Sequence, residues 1–276
     1  MAKRKKKKKD RQLLFAVLVL TAVLLLVIGG IALALSGGEE EEPAELPSTQ
    51  PRATAAPNPY DEEKYYMEDG FLRYEGEHMV GIDVSTHQEL IDWQQVAGAG
   101  VEFAILRIGY RGSSRGDLYE DETFRANLQG AKEAGILVGG YFFSQAITPQ
   151  EAWDEAIFVC ELLEGESFDL PIFYDWEEVG EDSRTGDIRD IPMTRCALAF
   201  CERMERGGYE AGVYFNQTYG NHYLELEHLQ DYCLWLAEYD ESPDYRYRFD
   251  LVQYSDSGSI PGIETDVDLD LWILEE

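Results

Sequence analysis

The sequence predicts an α/β protein, a TIM-like (β/α)5(β)3 barrel preceded by one transmembrane helix and a flexible linker. Three observations carry this prediction. A long uncharged apolar stretch lies near the N-terminus. From residue 80 onward, short β-branched and aromatic runs alternate five times with patterns of helical period, which is typical of βαβ units and a parallel sheet. The last 47 residues then hold three strand patterns without room for long helices, as a barrel closed by short connections requires. An open doubly wound sheet is the alternative architecture.

The N-terminal 35 residues predict a membrane anchor. Residues 1–11 hold eight basic residues and one acid, and form a basic cytoplasmic tail. Residues 12–35 follow as a signal anchor, because the uncharged stretch Leu13–Leu35 is long enough to cross a bilayer. The positive-inside rule keeps the lysines in the cytoplasm, so the chain after Leu35 is predicted to lie outside the cell. Cleavage near Ala34 would instead release a secreted protein.

Residues 36–79 predict a tether. Their first half is rich in proline, glutamate and small polar residues and has no apolar periodicity. The aromatic residues between 60 and 74 are the exception, since they could pack against the domain that follows. That domain, residues 80–276, is the predicted catalytic barrel.

Eight strands and five helices are predicted in order along residues 80–276. The strands cover residues 79–85, 103–110, 135–144, 170–176, 211–216, 233–239, 249–255 and 265–273. The helices cover residues 90–98, 122–135, 149–165, 192–208 and, with a weaker pattern, 217–229. Thr148 and Pro149 form a typical helix start, and Gly135, Gly165 and Gly207 stand at typical helix ends.

The composition excludes some classes of function. The net charge is −31 despite the basic tail, so the main body lacks the Lys and Arg clusters that nucleic-acid binding needs. The four histidines show no paired-ligand spacing, and the Asp266-Asp268-Asp270 alternation lacks the turn-forming glycine of a calcium loop. No metal or cofactor is therefore predicted. The four cysteines are expected to be free thiols.

Carboxylates at the predicted strand ends are the candidate catalytic groups. Asp83, Asp175 with Glu177, and Asp268 fall where barrel enzymes place their chemistry. Asp175 and Glu177 are two residues apart, so on a strand they share one face. Glycoside hydrolysis uses two such carboxyl groups, one protonated and one ionised. A competing G-x-S-x-G pattern at residues 112–116 lies in a polar loop, which is unlike a nucleophile elbow.

The chain resembles the glycoside hydrolase family 25 lysozymes, which are bacterial and phage N-acetylmuramidases. The matching segments stand in order at residues 81–93, 103–112, 124–148, 170–177, 212–216, 235–239 and 253–269. Together they cover nearly all of the predicted ectodomain. The resemblance implies a (β/α)5(β)3 barrel, as the element count does, and a substrate consisting of the glycan strands of peptidoglycan.

The resemblance also implies roles for single residues. Glu177 matches the general acid of the family, and Asp175 matches the carboxylate that orients the 2-acetamido group or assists the second step. Asp83 and Asp268 match two further acids that line the site. Tyr141 and Tyr214 match sugar-contacting aromatics. The chain departs from the family at Asp270, Thr265 and residues 250–252, which precede Gln253 and lack the usual tryptophan.

The function that follows is hydrolysis of the β-1,4 bond between N-acetylmuramic acid and N-acetylglucosamine, serving cell-wall remodelling. The ectodomain is expected to be monomeric. Two alternatives stay open: a tethered glycan-binding domain without turnover, and a glycosidase acting on another acetamido-sugar wall polymer. The sequence does not decide between retention and inversion, although a substrate-assisted route fits the short Asp175–Glu177 spacing.

Overall fold

The structure is a computed structural model that describes residues 54–186, 189 and 191–274. The predicted basic tail, the predicted transmembrane helix and the part of the predicted linker before residue 54 lie outside the described residues. None of the helices in the described ranges combines the length and the apolar character that a bilayer crossing requires.

The described part of the chain contains eleven strands and five α-helices. The strands are β1 (Tyr65–Glu68), β2 (Phe71–Tyr74), β3 (His78–Val84), β4 (Phe103–Arg111), β5 (Leu118–Glu120), β6 (Leu137–Ser144), β7 (Ile172–Trp176), β8 (Ala211–Asn216), β9 (Cys233–Ala237), β10 (Leu251–Gly258) and β11 (Val267–Ile273). The helices are α1 (Trp93–Gly98), α2 (Phe124–Ala134), α3 (Pro149–Leu162), α4 (Met193–Arg206) and α5 (Gln217–His222).

Eight of these strands close into a barrel. Their order around it is β3-β4-β6-β7-β8-β9-β10-β11, and β11 pairs with β3 to complete the circle. All neighbouring pairs are parallel up to β10, whereas β11 runs antiparallel to both β10 and β3. The predicted (β/α)5(β)3 barrel is thus confirmed, and closure through β3 distinguishes it from an open doubly wound sheet.

Local signals fix the helix ends much as the sequence predicts. Helix α3 begins at Pro149, and the Thr148 hydroxyl accepts a hydrogen bond from the Glu151 amide at 3.2 Å. Helix α2 ends at Gly135, which adopts the left-handed conformation that glycine tolerates best. The fifth predicted helix is shorter than expected. It stops at His222, and only a short 3-10 turn at residues 226–228 follows it.

Aromatic side chains fill the inside of the barrel. Phe103, Phe173 and Trp235 are buried there, with the rings of Phe173 and Trp235 5.1 Å apart. Glycines make room for these rings: a Cβ atom at Gly81 would lie 2.4 Å from Phe103, and one at Gly212 would lie 2.4 Å from Phe173. The interior is therefore a packed core rather than a pore, and space for a ligand remains only at its end.

A second core lies between the barrel and its helices. It includes Trp153 of α3 and Phe200 of α4, both fully buried. One buried ion pair crosses this layer, where Arg111 Nε lies 2.5 Å from Glu155 Oε1. The four cysteines are free thiols, as the sequence predicts.

Part of the predicted linker is folded. Strands β1 and β2 form an antiparallel hairpin, and Phe71, Leu72 and Tyr74 of β2 are buried. The Leu72 amide donates to the Tyr254 hydroxyl of β10 at 3.1 Å. The segment before the hairpin, from residue 54, follows the loop between β9 and β10, with Pro57 in a β-bridge to Tyr247. Residues 54–77 consequently extend the domain beyond its predicted start at residue 80.

Candidate active site

A cavity of about 730 Å³ opens at the carboxyl ends of the parallel barrel strands. We call it the central cavity. All six site residues predicted from the sequence line it: Asp83, Tyr141, Asp175, Glu177, Tyr214 and Asp268. Asp268 reaches this end for a reason the sequence does not reveal. It is the second residue of β11, and the antiparallel direction of that strand brings its first residues to the carboxyl ends of the others.

Asp175 and Glu177 form a closely coupled pair. Asp175 lies at the end of β7 and is only 4% exposed, whereas Glu177 is partly exposed just beyond the strand. Burial raises the pKa of both carboxyl groups. The neighbouring Glu177 raises the pKa of Asp175 further, whereas Asp175 lowers the pKa of Glu177 against the effect of burial. The pair therefore favours holding one proton between its two members.

The backbone around Glu177 is fixed from two sides. The side-chain amide of Gln145, at the end of β6, donates to the Glu177 carbonyl oxygen. The Gln145 Oε1 atom in turn accepts from the buried Thr185 hydroxyl at 2.8 Å. On the other side, the Glu178 amide donates to the Tyr219 hydroxyl at 2.9 Å. Glu177 is thus held at the mouth of the cavity although it follows the last residue of its strand.

Asp83 is bound into a hydrogen-bond chain. Gln253 Nε2 donates to Asp83 Oδ2 at 2.7 Å, and Gln253 Oε1 accepts from the hydroxyls of Tyr214 and Tyr239 at 3.0 and 3.1 Å. These two acceptor contacts fix the orientation of the amide. Burial raises the pKa of Asp83 well above its usual range, Asp268 adds to the increase, and the Gln253 bond opposes it.

A further acidic residue lies deeper on β11. Asp270 is fully buried, and its Oδ1 accepts from Trp235 Nε1 at 2.9 Å. Its Oδ2 meets no N–H or hydroxyl donor among the described residues. Burial raises its pKa well above the usual range, and Asp268 raises it further. Burial likewise raises the pKa of Asp268 to about 6, with Asp256 and Glu177 as further causes.

One cation faces this group of acids. Arg107 lies on β4 and lines the central cavity, where its charge lowers the pKa of Asp175 against the effect of burial. Arg107 Nε donates to Asp121 Oδ2 at 2.7 Å, and the same oxygen accepts from the Thr86 amide at 3.0 Å. Arg107, Asp121 and Gln253 are not among the site residues that the sequence predicts. The available signal for Arg107 and Gln253 was a charged or amide side chain inside the apolar part of a strand, whereas Asp121 lies just after β5.

The structure shows where the G-x-S-x-G pattern and His87 lie. The G-x-S-x-G pattern at residues 112–116 is the turn between β4 and the antiparallel strand β5, and Gly116 adopts a positive φ there. It is not a strand-to-helix elbow. His87 follows β3, lies in a short 3-10 turn and lines the central cavity.

Residues 82–263, which are more than half of the chain, match a family model described as Glycosyl hydrolases family 25. The chain belongs to this family. The match begins one residue before Asp83 and covers the barrel as far as the segment before β11. The β1–β2 hairpin and Asp268 lie outside it.

The chain is 31% identical over 198 residues to an autolytic lysozyme of Clostridium acetobutylicum, and this match covers 70% of this chain and 55% of the relative. It is 27% identical over 202 residues to the uncharacterized protein YegX of Escherichia coli, covering 70% of this chain and 68% of the relative. The chain therefore spans about half of the length of the Clostridium enzyme.

Solved structures share the fold. The modular autolysin LytC from Streptococcus pneumoniae matches with a TM-score of 0.61 and 23% identity, over 76% of this chain and 52% of that chain. A family 25 glycosyl hydrolase from Bacillus anthracis matches with a TM-score of 0.58 and 21% identity, over 77% of this chain and 94% of that chain. A bacterial lysozyme from Streptomyces coelicolor matches with a TM-score of 0.55 and 24% identity, over 71% of this chain and 91% of that chain.

Proposed function

We propose that this protein is a muramidase, which hydrolyses the β-1,4 bond between N-acetylmuramic acid and N-acetylglucosamine in peptidoglycan. The observation that carries the proposal is the Asp175–Glu177 pair at the mouth of the central cavity, in a chain that belongs to family 25. Support also comes from relatives that are named as lysozymes and autolysins, and from LytC, whose structure was solved with a synthetic peptidoglycan ligand.

Glu177 is the proton donor in this proposal. It is the more exposed member of the pair, so it is the one that a glycosidic oxygen can reach. The acetamido N–H of the bound sugar donates to Asp175, and this bond favours the ionised form of Asp175. The shared proton then resides on Glu177, which passes it to the leaving oxygen as the bond to the anomeric carbon breaks.

The acetamido oxygen closes onto the anomeric carbon as that bond breaks. Asp175 and Glu177 lie two residues apart at the end of one strand, β7, so they are placed beside each other rather than on opposite sides of the scissile bond, where the two carboxylates of inverting enzymes stand. The substrate's own group therefore supplies the nucleophile. Water then attacks the anomeric carbon and displaces the acetamido oxygen, whose bonding electron pair returns to the acetamido group. Glu177 takes up the water proton, and the product leaves with retained configuration.

The test is mass spectrometry of the soluble fragments that the full chain, purified in detergent, releases from isolated peptidoglycan. Fragments with new reducing-end muramic acid are expected from the wild type and not from Glu177→Gln. Glu178→Gln is the matched control, because Glu178 is the next residue and is exposed. Reducing-end glucosamine would identify a different glycosidase. Cosedimentation with the wall without any release would identify a glycan-binding domain.

We also propose that residues 12–35 anchor the enzyme in the cell membrane with its barrel outside, as a monomer acting on the inner part of the wall. The support is the sequence of the N-terminal segment, with its basic tail and uncharged stretch. Extraction of the native protein by detergent but not by alkaline carbonate is the expected result. A soluble form in the medium that begins near Leu35 would overturn the anchor.

A further inference from the structure

A second cavity lies beside the central one. It has a volume of about 610 Å³, within the range of about 300–1,000 Å³ that small-molecule sites occupy. We call it the outer cavity. The β1–β2 hairpin forms one wall with Met67, the end of β10 forms another with Ser255 and Ser257, and Tyr239 lies after β9. Its hairpin wall lies outside the stretch that matches the family model.

Tyr239 belongs to both cavities. Its side chain lines the central cavity and the outer cavity alike, and it is 56% exposed. Its hydroxyl is tied to Gln253 Oε1 at 3.1 Å, so the ring is held in place at the boundary. A ligand that leaves the central cavity on this side must pass over Tyr239 and enter the outer cavity.

The walls of the outer cavity suit a sugar chain. A fixed aromatic ring, the apolar side chains of Met67 and Leu269, and serine hydroxyls on β10 combine apolar surface with uncharged hydrogen-bonding groups. Two acidic residues, Asp240 and Glu241, also line the outer cavity. The carboxylate of Asp240 accepts the Ser242 amide at 2.9 Å and so belongs to a turn, and Glu241 is exposed.

The hairpin wall is firmly attached to the barrel. The Leu72 amide donates to the Tyr254 hydroxyl, and Tyr254 itself lines the outer cavity. The Ser242 hydroxyl donates to the Glu62 carbonyl oxygen at 3.1 Å, which joins the chain before the hairpin to the β9–β10 loop. The segments that form the outer cavity are therefore held to the barrel by hydrogen bonds.

We infer that the outer cavity binds the peptidoglycan glycan strand beyond the sugars that occupy the central cavity. This inference rests on the proposed function, because it assigns the strand's path on one side of the same site. The hairpin would then make the enzyme prefer long glycan strands over short ones.

The test compares peptide-free tetrasaccharide and decasaccharide strands of alternating N-acetylglucosamine and N-acetylmuramic acid. Dissociation constants are measured on the full-length Glu177→Gln protein, and KM and kcat on full-length protein with Glu177 intact. Met67→Ala and, separately, Ser257→Trp are each expected to weaken binding of the long strand about three- to tenfold and to leave the short strand unchanged. Tyr66→Ala is the matched control, since Tyr66 is 41% exposed, close to 45% for Met67, and lies next to it on the same strand.

The outcomes separate the two proposals. Length-dependent binding that Met67→Ala abolishes, without hydrolysis of either strand, would support the outer cavity and overturn the muramidase. Equal affinity of the parent protein for both lengths would overturn the outer cavity alone. The same holds if Met67→Ala and Ser257→Trp weaken binding of both lengths equally.

Discussion

Gln253 Nε2 donates a hydrogen bond to Asp83 Oδ2 at 2.7 Å. The two residues are far apart in sequence, on β10 and β3, and both line the central cavity. Because the amide is fixed by two tyrosine hydroxyls at Oε1, its N–H group has one orientation. Asp83 is thereby held as an acceptor at one oxygen, which favours its ionised form in a site where burial opposes ionisation.

Replacing Gln253 by Glu should lower activity sharply. The substitution keeps the size of the side chain, removes the N–H donor and brings a further carboxyl group against Asp83. We expect kcat/KM to fall about ten- to hundredfold, the equivalent of one hydrogen bond to a charged group. Loss of the N–H donor and the added like charge should raise the pKa of Asp83 further, so the pH profile of kcat/KM should move to higher pH. Gln129→Glu, at an exposed site on α2, is the control, and an unchanged pH profile for Gln253→Glu would contradict the prediction.

Gln145 is expected to act as a positioning residue for Glu177. Gln145→Ala removes the bond to the Glu177 carbonyl oxygen and leaves the Thr185 hydroxyl without its acceptor. We expect kcat to fall about tenfold with little change in KM, because a small displacement of a proton donor affects the transition state most. Steady-state kinetics on glycan strands measure both constants. Gln150→Ala, exposed on α3, is the control, and a loss confined to KM would refute the assignment.

The barrel and the carboxylates of the site follow from the sequence for physical reasons. Buried parallel strands need continuous β-branched and aromatic runs, and acids such as Asp83 and Asp175 stand out at the ends of those runs. The β1–β2 hairpin does not stand out in this way. Its strands are only four residues long and carry charges at Glu68 and Arg73, so no period is visible.

The contacts among site residues depend on which strands become neighbours. Gln253 meets Asp83 because β11 returns antiparallel between β10 and β3, and a single antiparallel strand leaves no mark in a local pattern. Arg107 looks like an interruption of an apolar strand until closure of the barrel places it near Asp175. Closure is a property of the whole chain, so the composition of one segment cannot predict these contacts.

The stability of the protein should fall as pH rises from about 4 to 7, with Asp268 as one cause. Its pKa rises from 3.8 to about 6 on folding. Between these values the native state binds more protons than the unfolded state, so the free energy of unfolding decreases as pH increases. For Asp268 the loss is about 2 kcal/mol, allowing for its partial exposure.

Urea unfolding of Asp268→Asn at several pH values measures that contribution. The variant should lose stability less steeply than the wild type between pH 4 and 7 and should be the more stable protein at pH 7. Glu264→Gln is the control, because Glu264 is exposed and lies four residues earlier in the chain. Identical slopes for Asp268→Asn and the wild type would show that Asp268 does not ionise in this interval.

Replacing Asp270 by Asn should stabilise the protein at neutral pH. Asn can keep an oxygen as the acceptor of the Trp235 indole N–H, which lies 2.9 Å from Asp270 Oδ1. Its amide group would also place a donor where Oδ2 meets no N–H or hydroxyl donor among the described residues. A fully buried carboxyl group with a raised pKa costs stability above the pH at which it ionises in the unfolded chain. We therefore expect Asp270→Asn to raise the free energy of unfolding at pH 7 by about 1–3 kcal/mol.

The pH dependence identifies the cause of that stabilisation. The gain of Asp270→Asn should be largest at neutral pH and should shrink below about pH 4, where the carboxyl group is protonated in both states. Asp270→Leu is the matched comparison, because it removes the charge and also the acceptor for Trp235. It should be less stable than Asp270→Asn at every pH. A gain from Asp270→Asn that is equally large at pH 3 and pH 7 would contradict the electrostatic explanation.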